Sequence, residues 1–294
     1  MSIATAERVG CTIKGPFAGP KVPVKVECLP TDADVKFYQE NGYWISPKLF
    51  TDEELLALAE HQDRVYAGIH ETGHAPWWGG WRFNPKRPLE IRKTDNSFWS
   101  DLTLRAAVLS PTIGAIAARL HGVDVVRLWH DQLLYKPSGG EKTGNVGWHQ
   151  DYDYWRASKE PNLTTATIAV SDQTMENGVI SVVPGSHKRG VLNASDFFNQ
   201  NLDEMQSKIE AETGTKMKPV PMSMKAGQIG FHHCLAVHGS AANTSGAARR
   251  SIAVHLMCGT IHRNINGKHM NTELVELKDG DPFVGDYFPV LYQR

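Results

Sequence analysis

A histidine and an aspartate stand two positions apart in residues 147–155, which read GWHQDYDYW. The pair, His149 and Asp151, lies among four large aromatic side chains, where an acid is costly to bury without a partner. On a β-strand, residues i and i+2 point to the same side, so both groups are predicted to reach one point. An imidazole nitrogen beside a carboxylate oxygen suits a divalent transition metal.

A third metal ligand must come from another part of the chain. Residues 231–243 read FHHCLAVHGSAAN and offer three histidines, His232, His233 and His238. His238 follows an apolar run and precedes a glycine, as expected at the end of a buried strand, whereas the other two are interpreted as structural or supporting residues. Two histidines and one carboxylate are the ligands that non-haem Fe(II) oxygenases use, so the sequence indicates an iron site.

An arginine opens the alternating segment RRSIAVHLMC, residues 249–258. In a strand, alternation places Arg249, Ser251, Ala253 and His255 on one face and the apolar residues between them on the other. The apolar face is predicted to pack, and the small polar face is predicted to line a cavity with the arginine at its end. An arginine in that position is suited to bind a carboxylate through two parallel hydrogen bonds.

Helical patterns come first along the chain. One helix is expected over residues 31–42, and a second begins after Thr51, which forms a capping-box pattern with Glu54. A third helical region covers residues 100–121, with an interruption at Pro111.

From residue 123 the pattern changes to short β-rich runs separated by Gly, Pro and Asn, namely VDVVRLWHDQLLY, TTATIAV, GVISVVPG, GQIGFHH and RSIAVHLMC. Helices followed by many short strands predict a mainly β fold with flanking helices. We expect a single domain over residues 1–294, made of an extended arm (1–30), a helical buttress (31–122), and a β core with a C-terminal tail (123–294).

Residues 70–85, HETGHAPWWGGWRFNP, are predicted to form a lid loop within the buttress. Exposed tryptophans are unfavourable unless they cover something, so Trp77, Trp78 and Trp81 are expected to close over the site. Tyr152 and Trp155 lie within four residues after Asp151 and are expected to complete an apolar chamber for the substrate.

The bulk composition argues against several classes of partner. Lys and Arg (31) nearly balance Asp and Glu (32), for a net charge of −1, so neither nucleic acid nor an anionic membrane is an expected partner. The four cysteines show no paired spacing, no apolar run is long enough for a membrane span, and the ends carry no signal peptide or peroxisomal address. We expect a cytoplasmic monomer or homodimer that acts on a small-molecule substrate.

Three ordered segments, WHQDYDYW, SDQTMENGVISVVPGSHKRG and GFHHCLAVHGSAANTSGAARRSIAVHLM, resemble the phytanoyl-CoA dioxygenase family of 2-oxoglutarate-dependent Fe(II) oxygenases. The resemblance implies a double-stranded β-helix, a cupin-like jelly roll, that uses Fe(II), 2-oxoglutarate and O2. It further implies that the iron ligands are His149, Asp151 and His238. Arg249 matches the arginine that pairs with the far carboxylate of 2-oxoglutarate, and three more residues fall where family members contact this cosubstrate: Gln132, Thr167 and Lys93.

The expected reaction is hydroxylation of a small molecule with release of succinate and CO2. Desaturation, cyclisation and acyl-CoA hydroxylation are alternatives within the family, whereas the presence of Asp151 argues against halogenation. A cupin-like protein that binds metal for regulation, without oxidation, is the alternative of a different class. Dependence of CO2 release on iron and 2-oxoglutarate distinguishes the two.

Overall fold

The computed structural model describes residues 17–77, 86, 88–140 and 144–294. Antiparallel strands form two sheets in this part of the chain. In chain order the strands are β1 (Tyr43–Ile45), β2 (Arg92–Asp95), β3 (Val125–Lys136), β4 (Val146–His149), β5 (Leu163–Ala169), β6 (Ile180–Val182), β7 (Val220–Pro221), β8 (Ile229–His233), β9 (His238–Ser240), β10 (Arg249–Cys258) and β11 (Val290–Gln293). The larger sheet has the order β1-β8-β5-β10-β3-β11, with β2 also paired to β3, and the smaller sheet has the order β4-β9-β6-β7.

The larger sheet has one polar and one apolar face. Residues directly opposite each other in antiparallel strands point to the same side. Ala253 on β10 lies between Gln132 on β3 and Thr167 on β5. Two residues further along β10, His255 lies between His130 and Thr165 of the same two strands. The residues that alternate with them on β10, Ile252 and Val254, are fully buried and apolar. The predicted division of residues 249–258 into a packing face and a polar face is therefore confirmed.

Five helices are found in the described residues: α1 (Asp32–Asn41), α2 (Asp52–Tyr66), α3 (Leu102–Val108), α4 (Pro111–His121) and α5 (Leu202–Thr213). Thr31 and Thr51 form capping boxes with Asp34 and Glu54, which satisfy amide groups that the first turn leaves without partners. The helix expected over residues 31–42 ends at Gly42, whose φ of 78° is a left-handed conformation that favours glycine. The expected interruption before Pro111 separates α3 from α4.

Helices α1 to α4 supply residues to the hydrophobic core that covers the apolar face of the larger sheet. Leu58 and Val65 of α2 and Ile113 and Ile116 of α4 share one buried cluster with Ile252. Burying each such side chain contributes about 1.5–3 kcal/mol relative to leaving it exposed. Because this packing fixes one face of β10, it also fixes where the polar residues on the other face point.

The second helix is tied to the beginning of β10 by polar contacts as well. Gln62 donates a hydrogen bond to the backbone oxygen of Ser251 (3.0 Å). Arg250 binds both carboxylate oxygens of Asp63 (2.8 and 2.9 Å). These contacts hold Arg250 towards the helices, so its neighbour Arg249 lies on the opposite, interior face.

The structure departs from the sequence interpretation in two segments. Helix α5 was not predicted; Asn201 caps it by accepting a hydrogen bond from the Glu204 amide, and it buries Met205 and Ile209. Residues 1–16 of the expected extended arm lie outside the described residues, and Val26–Cys28 forms a 3-10 turn. The mainly β fold with flanking helices is confirmed, while the division into arm, buttress and core stays a prediction.

No helix in the described part of the chain has both the length and the apolar character needed to cross a membrane.

Candidate metal centre

The smaller sheet brings two histidines together. β4 ends at His149, β9 begins at His238, and the two residues are direct partners in the antiparallel register. Asp151 does not continue β4, because Gln150 leaves the strand and Asp151 begins a 3-10 turn, Asp151–Tyr154. The expectation that strand alternation aligns Asp151 with His149 is therefore wrong. Instead the turn, held by a hydrogen bond from the Tyr152 amide to the backbone oxygen of Cys234 (3.1 Å), returns the carboxylate to the histidines.

The three side chains form a compact group of possible metal ligands. Oδ1 of Asp151 lies 3.6 Å from Nε2 of His149 and 3.7 Å from Nε2 of His238. The two imidazole rings are 4.1 Å apart between centroids, and one ligand atom from each residue lies within 4.8 Å of the others. The structure thus brings together the three residues that the sequence singled out.

Backbone contacts set the proton positions on both histidines. Nδ1 of His149 is 2.8 Å from the backbone oxygen of Gly147, and Nδ1 of His238 is 2.9 Å from that of Ala236. A carbonyl oxygen only accepts, so each Nδ1 carries the proton and each Nε2 keeps its lone pair. The lone pairs face the carboxylate of Asp151, which is how metal-binding histidines are held in proteins.

The protonation states of the group also suit a cation. Burial by itself raises the pKa of the Asp151 carboxyl, but the neighbouring imidazoles of His238, His149 and His232 outweigh it and hold this pKa well below its usual value. Burial, together with His149 and His232, lowers the pKa of His238 well below its usual value. The site therefore presents an ionised carboxylate beside a neutral imidazole.

The second oxygen of Asp151 is held by hydrogen bonds from the larger sheet. Oδ2 accepts from the hydroxyl of Thr165 on β5 (2.6 Å) and from Nε2 of His232 on β8 (3.1 Å). These contacts leave Oδ1 for the two histidines, so the carboxylate is oriented to offer a single oxygen. His232 is thus a supporting residue of the site, whereas His233 stacks on His121 (5.6 Å between centroids, 17°) outside it.

We expect the substitution Thr165→Val to lower the affinity for Fe(II) by about 10–100-fold, the usual effect of removing a hydrogen bond to a metal ligand. Valine keeps the shape of threonine but cannot donate to Asp151. The affinity is measured by anaerobic titration.

Thr164→Val is the matched control for this substitution. The Thr164 hydroxyl is also buried, but it bonds to the backbone oxygen of His232 (2.8 Å) and to the Tyr38 hydroxyl (3.0 Å) instead of to Asp151. Both variants lose a buried hydroxyl, but only Thr165→Val loses a contact to Asp151. An Fe(II) affinity equal to that of the wild-type protein in Thr165→Val would show that Thr165 does not orient a metal ligand.

A basic pair lies at the start of β10. Arg249 is 5% exposed and is the register partner of Lys136, which is also buried. Nη1 of Arg249 donates to Oε1 of Gln173 (3.2 Å), while its Nε has no hydrogen-bond partner among the described residues. Burial lowers the pKa of Arg249 to about 10, which still leaves it charged at neutral pH.

Lys136 donates to the Ser240 hydroxyl and to the backbone oxygen of Ala241. Burial and the neighbouring Arg249 lower the pKa of Lys136 well below its usual value. Within the described part of the chain neither basic residue forms an ion pair with an acid. Two buried basic groups without an acidic partner are costly, so the pair is suited to bind an anion.

The three other residues expected to contact the cosubstrate point to the same interior. Nε2 of Gln132 donates to Oδ1 of Asp95 (2.7 Å), and Nζ of Lys93 is 4.0 Å from the same oxygen. The hydroxyl of Thr167 is buried and has no hydrogen-bond partner in the described residues. Asp95 was not singled out from the sequence, although its register pairing with Gln132 connects it to this face.

Three of the aromatic residues that were expected to form a substrate wall lie in the described part of the chain, where they pack against other side chains. Tyr152 and Trp155 are buried in one hydrophobic cluster, and the Tyr152 hydroxyl donates to the backbone oxygen of Ser158 (3.0 Å). Trp77 packs edge-on against Trp99 (5.9 Å between centroids). Trp78 and Trp81 lie outside the described residues. The structure gives Tyr152 and Trp77 packing roles, and the lid stays a prediction.

A different set of rings lies next to the metal ligands. We define the aromatic ledge as Tyr154, Phe197 and Phe198. Phe197 contacts the ring of His149 edge-on (4.9 Å between centroids), and its amide donates to the hydroxyl of Tyr154 (2.9 Å). Phe198 is 74% exposed, and Nζ of Lys93 lies 5.2 Å from the centre of the Phe197 ring. The sequence analysis did not predict the aromatic ledge. Two adjacent phenylalanines in the polar segment NASDFFNQN could have indicated it, because exposed large rings are unusual without a partner.

A second group, His61, Glu71 and Asp101, has metal-ligand types within reach of one another. Its oxygens already serve the start of α3, since Asp101 accepts from the Leu104 amide (3.0 Å) and from His61, and Glu71 accepts from the Leu102 amide. Asp101 and Glu71 therefore cap the first turn of α3, with His61 bonded to Asp101, and we do not assign this group a metal.

Comparison with known proteins supports, along most of the chain, the family that the sequence segments resemble. Residues 38–251 match the model of the phytanoyl-CoA dioxygenase (PhyH) family. The peroxisomal phytanoyl-CoA dioxygenase of Mus musculus is 26% identical over 275 residues, covering 86% of this chain and 78% of the mouse protein.

Two solved structures from nogalamycin biosynthesis share the fold. The α-ketoglutarate-dependent carbocyclase SnoK superposes with a TM-score of 0.69 and 26% identity, covering 89% of this chain and 96% of SnoK. The epimerase SnoN, in complex with Fe3+, α-ketoglutarate and nogalamycin RO, gives a TM-score of 0.66 at 23% identity, covering 88% of this chain and 98% of SnoN. The two sheets are thus those of a jelly roll, and with the family model matching more than half of its length this chain belongs to the phytanoyl-CoA dioxygenase family.

Proposed function

We propose that this chain is an Fe(II)- and 2-oxoglutarate-dependent dioxygenase that oxidises a small molecule. The observation that carries the proposal is the combination of a His-Asp-His group with a buried basic pair inside one jelly roll. In this proposal Fe(II) is held by His149, Asp151 and His238, and the far carboxylate of 2-oxoglutarate is bound by Arg249.

The donor set fits the metal and the basic pair fits the cosubstrate. Two Nε2 lone pairs and one carboxylate oxygen converge on one point, as they do in non-haem Fe(II) oxygenases. The unpaired Nε of Arg249 and the unpaired hydroxyl of Thr167 are buried polar atoms that need a partner. A dicarboxylate would supply oxygens to these atoms and a negative charge to the basic pair, with Gln132 and Lys93 as further contacts.

Each group of the chain has a defined task. Bound iron, together with 2-oxoglutarate and O2, would supply the oxidising power, with release of succinate and CO2. Thr165 and His232 orient Asp151, and the hydrophobic clusters around the site keep bulk water out. His149 and His238 are assigned as metal ligands, so no acid–base step is assigned to them.

The surroundings of the metal centre favour a free small molecule with an apolar or aromatic surface as substrate. In the aromatic ledge the ring of Phe197 contacts the predicted iron ligand His149, and the exposed ring of Phe198 packs against Phe197. Aromatic rings bind flat apolar surfaces well. The net charge of −1 does not favour a polyanionic CoA ester. Hydroxylation is the proposed outcome; SnoK and SnoN, by name a carbocyclase and an epimerase, have the same fold, so cyclisation and related oxidations are the alternatives.

The proposal is tested by loading the purified chain with Fe(II) without oxygen and then adding 2-oxoglutarate, O2 and a panel of small molecules. We expect succinate to form only when all three of iron, 2-oxoglutarate and O2 are present, and to form faster with a substrate. The same protein loaded with Zn(II), which has no redox chemistry, is the control and should form none.

The alternative, a metal-binding regulatory protein, leads to a different expected result. It would bind the metal but form no succinate with any member of the panel. That outcome, with intact Fe(II) binding, would replace the proposed oxygenase by the non-oxidative alternative.

A further inference from the structure

Two buried histidines pack against each other inside the jelly roll next to the proposed iron site. His130 on β3 and His255 on β10 are opposite each other in register, 2% and 4% exposed, with ring centroids 4.2 Å apart. Nδ1 of His255 contacts the Thr165 hydroxyl (2.8 Å), which is bonded to Asp151. The pair is therefore one residue removed from a proposed metal ligand.

The proton on His255 can be located from this chain of hydrogen bonds. The ionised Asp151 only accepts, so Thr165 must donate its single hydroxyl proton to it. The contact between Thr165 and His255 then requires Nδ1 of the histidine to be the donor. His255 is neutral, because burial lowers its pKa to about 3. Its Nε2 is therefore a bare acceptor, and this buried atom has no donor among the described residues.

The proton on His130 follows from its neighbour Gln132. Nε2 of Gln132 donates to Asp95 (2.7 Å) and lies 3.5 Å from Nε2 of His130. A proton on that histidine nitrogen would face an amide proton, so His130 carries its proton on Nδ1. This Nδ1 donor is buried and has no acceptor in the part of the chain that the structure describes.

The two rings thus present one unpaired donor and one unpaired acceptor. A buried polar group without a partner costs roughly 1–3 kcal/mol, so two in direct contact indicate a ligand that satisfies both. A hydroxyl group both donates and accepts. Trp155 borders the pair edge-on, 4.8 Å from His255 and 5.8 Å from His130 between centroids, and provides an apolar wall beside that group.

We propose that His130 and His255 bind a hydroxyl group of the substrate and thereby select an alcohol-bearing small molecule. Nε2 of His255 accepts a hydrogen bond from the hydroxyl, and Nδ1 of His130 donates one to the hydroxyl oxygen. This inference rests on the proposed function, since it places the substrate beside the metal centre. It adds that the substrate already carries a hydroxyl before oxidation, so a reaction that installs or unmasks an alcohol must come before this one.

The test uses matched pairs of an alcohol and its deoxy hydrocarbon: benzyl alcohol with toluene, and 2-tetralol with tetralin. Mn(II) replaces Fe(II) in the presence of 2-oxoglutarate, and binding is read from the relaxation of probe protons by the metal. In the wild-type protein we expect the alcohol to bind about tenfold or more tightly than its partner, the value of one buried hydrogen bond. Mn(II) and 2-oxoglutarate binding are titrated separately, so failure of the proposed function is seen independently.

Three variants separate hydroxyl binding from other effects. Asparagine in His255→Asn keeps a donor near the Nδ1 position for Thr165 but lacks the distal acceptor, and His130→Phe keeps the stacked ring but lacks the donor. In both variants the ratio of alcohol affinity to deoxy-hydrocarbon affinity should fall towards one. His269→Asn is the control, because His269 packs on His130 (4.8 Å between centroids) while its Nδ1 accepts from the Asn271 amide (3.2 Å), a role that asparagine can fill.

The outcomes are decisive in both directions. Loss of the alcohol preference in the two test variants, with the preference kept in His269→Asn, supports a hydroxyl-binding pair. If the wild-type protein prefers no alcohol over its deoxy partner, an ordered water satisfies the two nitrogens and the proposal is wrong. If both test variants still prefer the alcohol as the wild-type protein does, the proposal that His130 and His255 bind the hydroxyl is also wrong.

Discussion

The variant Asp151→Ala is expected to lose Fe(II) affinity by more than about 100-fold and to form no succinate from 2-oxoglutarate. Removing a hydrogen bond to a metal ligand already costs roughly 10–100-fold, and this substitution removes the ligand itself. It also deletes the one negative charge among three histidines, since Oδ1 faces His149 and His238 and Oδ2 binds His232. Anaerobic Fe(II) titration and succinate formation measure the two effects.

The control for this variant lies in the same 3-10 turn. Asp153 is two residues from Asp151, but its carboxylate pairs with Arg156 (2.7 Å) on the outside of the turn. Asp153→Ala should therefore keep both Fe(II) affinity and succinate formation, and circular dichroism should show both variants folded. Wild-type Fe(II) affinity in folded Asp151→Ala would remove Asp151 from the proposed ligand set.

The faces of β10 could be predicted from the sequence because alternation is a local property. Arg249, Ser251, Ala253 and His255 are separated by single residues, and any strand places them on one side. What lies opposite them could not be predicted, because register depends on which strands pair. The contact of Arg249 with Lys136 and that of His255 with Thr165 and His130 arise only when β3 and β5 flank β10.

The candidate metal centre shows that residues can converge through a local geometry different from the one predicted. His149 and Asp151 do converge, but through a 3-10 turn and not through strand alternation. The same turn decides which aromatic ring lies near the candidate metal ligand His149. It buries Tyr152 in a hydrophobic cluster and leaves Tyr154 half-exposed beside His149 (6.3 Å between centroids). The sequence around Asp151 predicts an aromatic wall, but only the turn geometry shows which rings lie beside His149.

Helix α5 was not predicted because its evidence also lies in tertiary packing and only weakly in the local sequence. Only two of its residues, Met205 and Ile209, are buried, four positions apart on one helical face. Such a narrow apolar stripe is weak in the sequence, and its packing surface, β4, is distant along the chain. The cap at Asn201 with Glu204 was the available local signal.

Replacing Arg249 with methionine is expected to weaken 2-oxoglutarate binding by tens- to thousands-fold. Removing one partner of a desolvated, hydrogen-bonded charge pair costs on the order of 2–5 kcal/mol, and each 1.4 kcal/mol is about tenfold in affinity. Methionine keeps much of the aliphatic length of arginine, so the loss reports the charge and its hydrogen bonds. The affinity is measured by titrating 2-oxoglutarate into the Fe(II)-loaded protein without oxygen.

Arg250→Met is the matched control, since Arg250 is adjacent on the same strand but binds Asp63 on the helical side. It should leave 2-oxoglutarate affinity unchanged while losing that surface ion pair. The unliganded Arg249→Met protein should be no less stable than the wild-type protein, because Arg249 and Lys136 are buried together without an acid in the described residues, and such a charge costs stability until an anion binds. A variant that binds 2-oxoglutarate as well as the wild-type protein would instead assign this carboxylate to Lys136 or Lys93, which the corresponding methionine variants would then identify.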